Sequence, residues 1–187
     1  NMNPRSFTTT GIVIRTATLG ESDRFITVLS PTHGKLTCIA KGIRSVKSRR
    51  SPHIELLNRV KVQLWKSRRH YYLTQCTAEE RFQELKREIA GLASGAFVAE
   101  VTEKLTMDDQ QHDGLYALLN GTLALMDFYP HKHALLREAY LVKLLKTLGY
   151  ITSFRECSEC HKPLPKATAY VDRDHSTLTC KECAPIN

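Results

Sequence analysis

Four of the six cysteines in this 187-residue chain stand as C-x-x-C pairs, Cys157 with Cys160 and Cys180 with Cys183, nineteen residues apart. Each C-x-x-C turn aims two sulfurs at one point, and two such turns supply the four thiolates of a tetrahedral zinc shell. In a reducing compartment this spacing reads as metal rather than disulfide. A redox-active pair would call for a helix start inside a βαβ unit, and no such unit is visible. Four protein sulfurs leave no position for a reacting water, so a single structural zinc is expected, and the stretch should unfold without it. The segment AYVDRDHSTLTC between the pairs reads as a hairpin that brings the two turns together, and His161, next to Cys160, reads as a spectator. Cys38 and Cys76 lie alone in apolar contexts and read as buried small hydrophobes.

Charge is distributed unevenly. The formal net charge is +8, but residues 1–80 carry +9, residues 81–156 carry −1 and residues 157–187 are neutral. Between residues 41 and 69 stand ten basic side chains (Lys41, Arg44, Lys47, Arg49, Arg50, Arg59, Lys61, Lys66, Arg68, Arg69) against the single acid Glu55. That is an electrostatic footprint for a polyanion. Trp65, Tyr71 and Tyr72 flank the Arg68-Arg69 pair, and cations combined with rings hold single strands without reading sequence. Alternation predicts that at least one of these three rings is core.

From Thr10 to Cys76 the chain reads as short strands: GIVIRT, RFITVL, KLTCIAK, RVKVQLW and HYYLTQC, with a hairpin at His33-Gly34 and another across SRR. Val60, Val62 and Leu64 share one face of the fourth strand, with Arg59, Lys61 and Gln63 on the other. Five strands in some 70 residues suit a small closed barrel of OB or SH3-like type, and the long insert after the third strand favours OB. Beyond Thr77 the period becomes helical. Ile89, Leu92, Ala93, Ala96, Phe97, Val101 and Leu105 form one apolar stripe. Leu115, Leu118, Leu119, Thr122, Leu123 and Met126 form a second, stopped by Pro130, and Leu135, Leu136, Ala139, Tyr140, Val142, Leu145 and Leu148 form a third. Gly149 suits a helix C′ position, with Lys143 and Lys146 near the negative dipole end. His131 and His133 point to different faces, and Asp108, Asp109 and Asp113 read as link and capping charge. The fold class expected is α+β: an OB-fold barrel over residues 1–78, a helical bundle domain over 79–153 and a four-cysteine zinc module over 154–187, at or near the C-terminal end.

Function classes narrow accordingly. No G-x-S-x-G, H-E-x-x-H, P-loop or Rossmann glycine pattern occurs, so no enzyme is expected, and no small-molecule substrate. No run approaches the ~18 apolar residues of a membrane span, and a threonine triplet stands where a signal peptide would be apolar. A cytoplasmic protein with no membrane partner is expected, Asn1 before Met2 reading as a cloning remnant.

A barrel containing GESDRFITVLSPTHGKLTCIAKGIRSVKS, then helices, then a four-cysteine module, resembles the bacterial RecO family of DNA repair and recombination-mediator proteins. The likeness covers nearly the whole chain and is most telling in the first 50 residues: the opening strand GIVIR, the acidic pair Glu21 and Asp23, and GKLTCIAKGIR with a basic loop behind it. It implies an OB fold that binds single- and double-stranded DNA, anneals complementary strands and, with RecR, helps load RecA onto strands coated with single-strand-binding protein. It implies a structural zinc on Cys157, Cys160, Cys180 and Cys183, and a nucleoid-associated cytoplasmic location. It assigns Lys35, Lys41, Arg44 and Lys47 to the DNA-facing surface, with Arg49 and Arg50 continuing the loop; Arg68 and Arg69 are added here from local charge. Family members continue past the metal module with further helical sequence, so the resemblance also implies helical sequence missing after Asn187. Lys132, Arg137 and Lys143 are suggested as a basic rim for the acidic, hydrophobic tail expected of a partner. The competing class is a zinc-braced protein-interaction scaffold with only incidental DNA affinity, separable because scaffold binding would survive loss of the loop charges.

Overall fold

The expected strands are present in a computed structural model of the protein, which describes residues 6–43, 53–150, 155–164, 170–172 and 177–184. They are β1 (Ser6–Leu19), β2 (Asp23–Ser30), β3 (Gly34–Ala40), β4 (Arg59–Lys66) and β5 (Tyr71–Glu80), closed into a barrel in the order β1-β2-β3-β5-β4. All neighbours are antiparallel except β3 and β5, which run parallel. The barrel is OB-like, as the long insert after the third strand suggests.

Strand β1 is longer than the GIVIRT run because it serves two partners. Residues 6–12 pair with β4 and residues 12–19 with β2, and an irregularity between Val13 and Arg15 turns the strand between them. Where the ladder opens, the Val13 N–H donates to the Asn58 carbonyl and the Leu57 N–H to the Val13 carbonyl. Alternation fills the interior: Val60, Val62 and Leu64 of β4 are buried with Val13, Ile26, Val28, Leu36, Cys38, Leu73 and Cys76. Burial pushes the Cys38 thiol up to about 12, with Cys76 adding to the effect.

The β2–β3 hairpin turns at Gly34, with φ +67°. A Cβ there would stand 2.0 Å from the Gln110 carbonyl oxygen, so only glycine allows the link between helices to lie against the hairpin. Among the described residues four helices follow β5: α1 (Gln83–Arg87), α2 (Ile89–Leu105), α3 (Leu115–Phe128) and α4 (His133–Thr147), with a 3-10 turn at Pro130–Lys132. The short α1 has no counterpart in the sequence reading.

The second stripe is buried as expected, through Leu115, Leu119, Thr122, Leu123 and Met126. The stripe of α2 is not. Its buried residues are Gly91, Ser94, Gly95, Val98, Ala99 and Thr102, whereas Ile89 is 89% exposed and Leu92 and Phe97 are also exposed. The reason is close approach: a Cβ at Gly91 would stand 2.3 Å from the Leu85 carbonyl oxygen, and one at Gly95 2.6 Å from Leu57 Cδ1. Packing at native density then selects small residues on the inner face and leaves the large ones outside. Of the third stripe, Tyr140 is buried, its hydroxyl bonded to that of Thr102, and burial pushes its phenol up to about 12. Leu135 and Val142 of the same stripe are exposed.

The chain divides into two compact units, Asn1–Leu141 and Val142–Asn187. In the second, α4 ends as predicted at Gly149. The Tyr150 N–H donates to the Leu145 carbonyl and the Gly149 N–H to that of Lys146, the paired bonds of a Schellman cap. Strands β6 (Tyr170–Asp172) and β7 (Thr177–Thr179) pair antiparallel in the segment expected to form a hairpin. Among the described residues no helix is long and apolar enough to cross a membrane.

Candidate nucleic-acid interface and metal centre

The sequence assigns eight cations to a DNA-facing surface, and the structure separates them. Arg44, Lys47, Arg49 and Arg50 lie outside the described residues. Lys35 does not stand among the exposed cations. It is buried on β3, and its Nζ donates to the carbonyls of Glu103 at 2.9 Å and Thr106 at 2.6 Å and stands 3.3 Å from the Asp108 carboxylate. Those carbonyls end α2, so the ammonium caps a helix C-terminus, where a cation is favoured by the dipole.

Lys41, Arg68 and Arg69 are exposed. The two arginines occupy the β4–β5 turn, closed by Ser67, whose backbone N–H and side-chain hydroxyl both donate to the His70 carbonyl. Around this turn Trp65, Lys66, Ser67, Arg68, Arg69, His70 and Tyr72 line a cleft of about 600 Å³. No carboxylate lines it among the described residues, and neither arginine is in a salt bridge there. Lys66 and His70 went unassigned in the sequence reading, although flanking a predicted cationic hairpin turn was signal enough to find them.

The rings divide as alternation requires. Tyr71 packs on the barrel core, edge-on to Phe7, and its hydroxyl donates to Asp109 Oδ1 at 3.1 Å. Trp65 and Tyr72 are cross-strand partners on the outer face, ring centroids 5.8 Å apart and tilted by 42°. Lys41 Nζ lies 5.3 Å from the Tyr72 ring centroid and Lys66 Nζ the same distance from that of Tyr71. Hydrogen bonding to Tyr71 holds the Lys66 ammonium above its usual range.

In the other unit, the Sγ atoms of Cys157, Cys160, Cys180 and Cys183 all lie within 4.8 Å of one another, the one such cluster among the described residues. Two turns present them. The His161 N–H donates to the Cys157 carbonyl, the Cys183 N–H to the Cys180 carbonyl, and the Ser158 N–H to Leu178, tying the first turn to β7. A tetrahedral shell with Zn–S of about 2.3 Å needs sulfurs about 3.8 Å apart. Cys160 and Cys180 already stand 3.8 Å apart. The Cys160 N–H, with those of Cys180 and Glu159, holds the Cys157 thiol down to about 6, while hydrogen bonding with the neighbouring Cys180 and Cys160 sulfurs pushes Cys183 up to about 12. The arrangement is compatible with a metal site made of cysteines alone, and His161 is not part of the cluster.

The family model for the N-terminal part of recombination protein O matches residues 2–82, and that for its C-terminal part matches residues 86–187. A DNA repair protein RecO of Roseiflexus sp. (strain RS-1) is 30% identical over 186 residues, covering 100% of this chain and 65% of that protein. One of Dehalococcoides mccartyi (strain CBDB1) is 27% identical over 96% of this chain and 71% of its own length. One of Leptospira biflexa (strain Patoc 1 / Ames) is 30% identical over 94% and 72%. The chain thus spans 65% to 72% of the length of these three curated relatives.

Proposed function

The chain belongs to the RecO family, and on that premise we propose that it is a DNA repair and homologous-recombination mediator that works without covalent chemistry. In this reading it binds single- and double-stranded DNA, anneals complementary strands and, with RecR, helps load RecA onto strands coated with single-strand-binding protein in the cytoplasm. The observation that carries it is the β4–β5 end of the barrel, where Lys66, Arg68 and Arg69 rim a cleft lined by no acid among the described residues. Annealing asks only that two phosphate backbones be neutralised while bases stay accessible. Residues 44–52 add Arg44, Lys47, Arg49 and Arg50. If about four to six phosphates are contacted, log affinity for single strands falls with log salt by about 0.7 per contact.

The metal proposed is one zinc ion held by Cys157, Cys160, Cys180 and Cys183, supported by the sulfur spacing and the all-cysteine donor set. When bound it cross-links the two turns and stands in for a core. The division proposed is residues 1–78 for nucleic-acid binding, 79–153 for the helical domain and 154–187 for the metal module.

The test is the annealing rate of two complementary oligonucleotides, bare and coated with single-strand-binding protein, at two salt concentrations. Acceleration on coated strands is expected. No acceleration on either substrate overturns the mediator reading in favour of the scaffold. One observation favours that second reading: α2 carries Ile89, Leu92 and Phe97 exposed, with the Arg137 guanidinium 5.5 Å from the Phe97 ring centroid, an apolar surface with a cation at its rim.

A further inference from the structure

Beside the cations of the β4–β5 cleft stands the indole of Trp65. It is 38% exposed on a strand whose alternate residues Val60, Val62 and Leu64 are buried to 2% or less. It is also the sole tryptophan of the chain. Its cross-strand partner Tyr72 meets it at 42° rather than covering its face. The rim is cationic throughout, from Lys66, Arg68 and Arg69 at the turn to Lys41 beside Tyr72. An aromatic face with charges for phosphate around it is chemically matched to a flat, apolar-faced ligand attached to an anionic chain.

We propose that Trp65, backed by Tyr72, stacks an unpaired nucleobase while Lys66, Arg68 and Arg69 hold the phosphates on either side, so that this end of the barrel prefers single strands to duplex. The preference follows from geometry. In a duplex both faces of every interior base are covered by its neighbours, and only a base free of its stack can meet the indole. Tyr71 takes no part, since its hydroxyl is engaged by Asp109 and its ring packs on Phe7 and the core. A stacked base raises affinity by about 5- to 150-fold. The inference rests on the DNA-binding reading above and adds the strand preference of the cleft and the residue that sets it.

A single tryptophan makes the site its own reporter. The intact chain is titrated with three ligands of equal length: an oligothymidylate, an abasic strand of the same backbone, and a duplex. Anisotropy of labelled DNA reads binding while tryptophan emission reads the indole. All three ligands should bind, and only the oligothymidylate should quench the emission. Binding of all three with no quenching, or with equal quenching by the abasic strand, overturns the stacking assignment and leaves DNA binding intact. Binding of none overturns the DNA-binding reading on which it rests. Among variants, Trp65→Ala should lose about 5- to 150-fold in affinity for oligothymidylate, a larger factor than for duplex, and Trp65→Phe should lose less. Arg68→Ala with Arg69→Ala should weaken all three ligands together.

Discussion

Replacing Lys35 with methionine separates a structural lysine from a DNA contact. Methionine keeps the length of the side chain and removes the ammonium. Two hydrogen bonds from a charged donor are lost, to Glu103 O and Thr106 O, each contributing about 1.5–3 kcal/mol when one partner is ionised. The Asp108 carboxylate at 3.3 Å is 56% exposed, so solvent holds its share below about 1 kcal/mol. Against these losses, methionine carries no ammonium to desolvate and buries an apolar tail. The net expectation is a loss of about 2–4 kcal/mol. With a urea m-value of about 2 kcal/mol/M, the midpoint falls by about 1–2 M. Equilibrium urea unfolding followed by circular dichroism measures it, with Asp108→Asn as the mild comparison, expected to cost under about 1 kcal/mol. The second readout is the salt dependence of single-strand binding, measured well below the unfolding midpoint, whose slope should match that of the unsubstituted protein. A stability change under about 0.5 kcal/mol together with a slope reduced by about 0.7 would return Lys35 to the DNA surface and refute the capping argument.

Purified protein should carry one equivalent of zinc by elemental analysis, and Cys160→Ser with Cys183→Ser should lose it, opening residues 155–184 to limited proteolysis. Two glycine substitutions should act in opposite directions in thermal unfolding. Gly91→Ala drives a Cβ to 2.3 Å from the Leu85 carbonyl oxygen and should cost about 1–3 kcal/mol. Gly121→Ala places a methyl in open space within α3 and should stabilise by about 0.4–1 kcal/mol.

What the sequence made legible was whatever a local rule decides. Strand alternation found the faces of β4, the four cysteines found one another, and Gly149 marked a helix end, because a period, a spacing and a backbone angle are properties of neighbours in the chain. What it hid depends on distances between elements. Hydrophobicity ranks Ile89, Leu92 and Phe97 above Gly91, Ser94 and Gly95 as core candidates, yet the approach of Leu85 and Leu57 to α2 reverses the order. Lys35 hid for the same reason. Its charge marks it as surface, and only the placement of the α2 C-terminus beside β3 gives the ammonium its carbonyls.

Tyr71 and Tyr72 show the limit of a local rule most clearly. The pleat sends neighbouring residues to opposite faces, so one ring goes inward and the other outward, but two inward residues of the same strand disagree over which. Counting back by twos from Cys76 places Tyr72 inside, and counting back from Leu73 places Tyr71 there. The ladder resolves it: Gln63 pairs with Gln75 and Leu64 with Leu73, leaving Thr74 as an extra residue whose hydroxyl donates to the Gln63 carbonyl. That bulge resets the phase between Cys76 and Leu73, and both are buried. Tyr71 is therefore delivered to Phe7 and the core, and Tyr72 to Trp65 and the cationic cleft. The composition of the cleft thus depends on one inserted residue, Thr74, two positions before Cys76, and which of the two rings enters the cleft is chosen by backbone register rather than by its own chemistry.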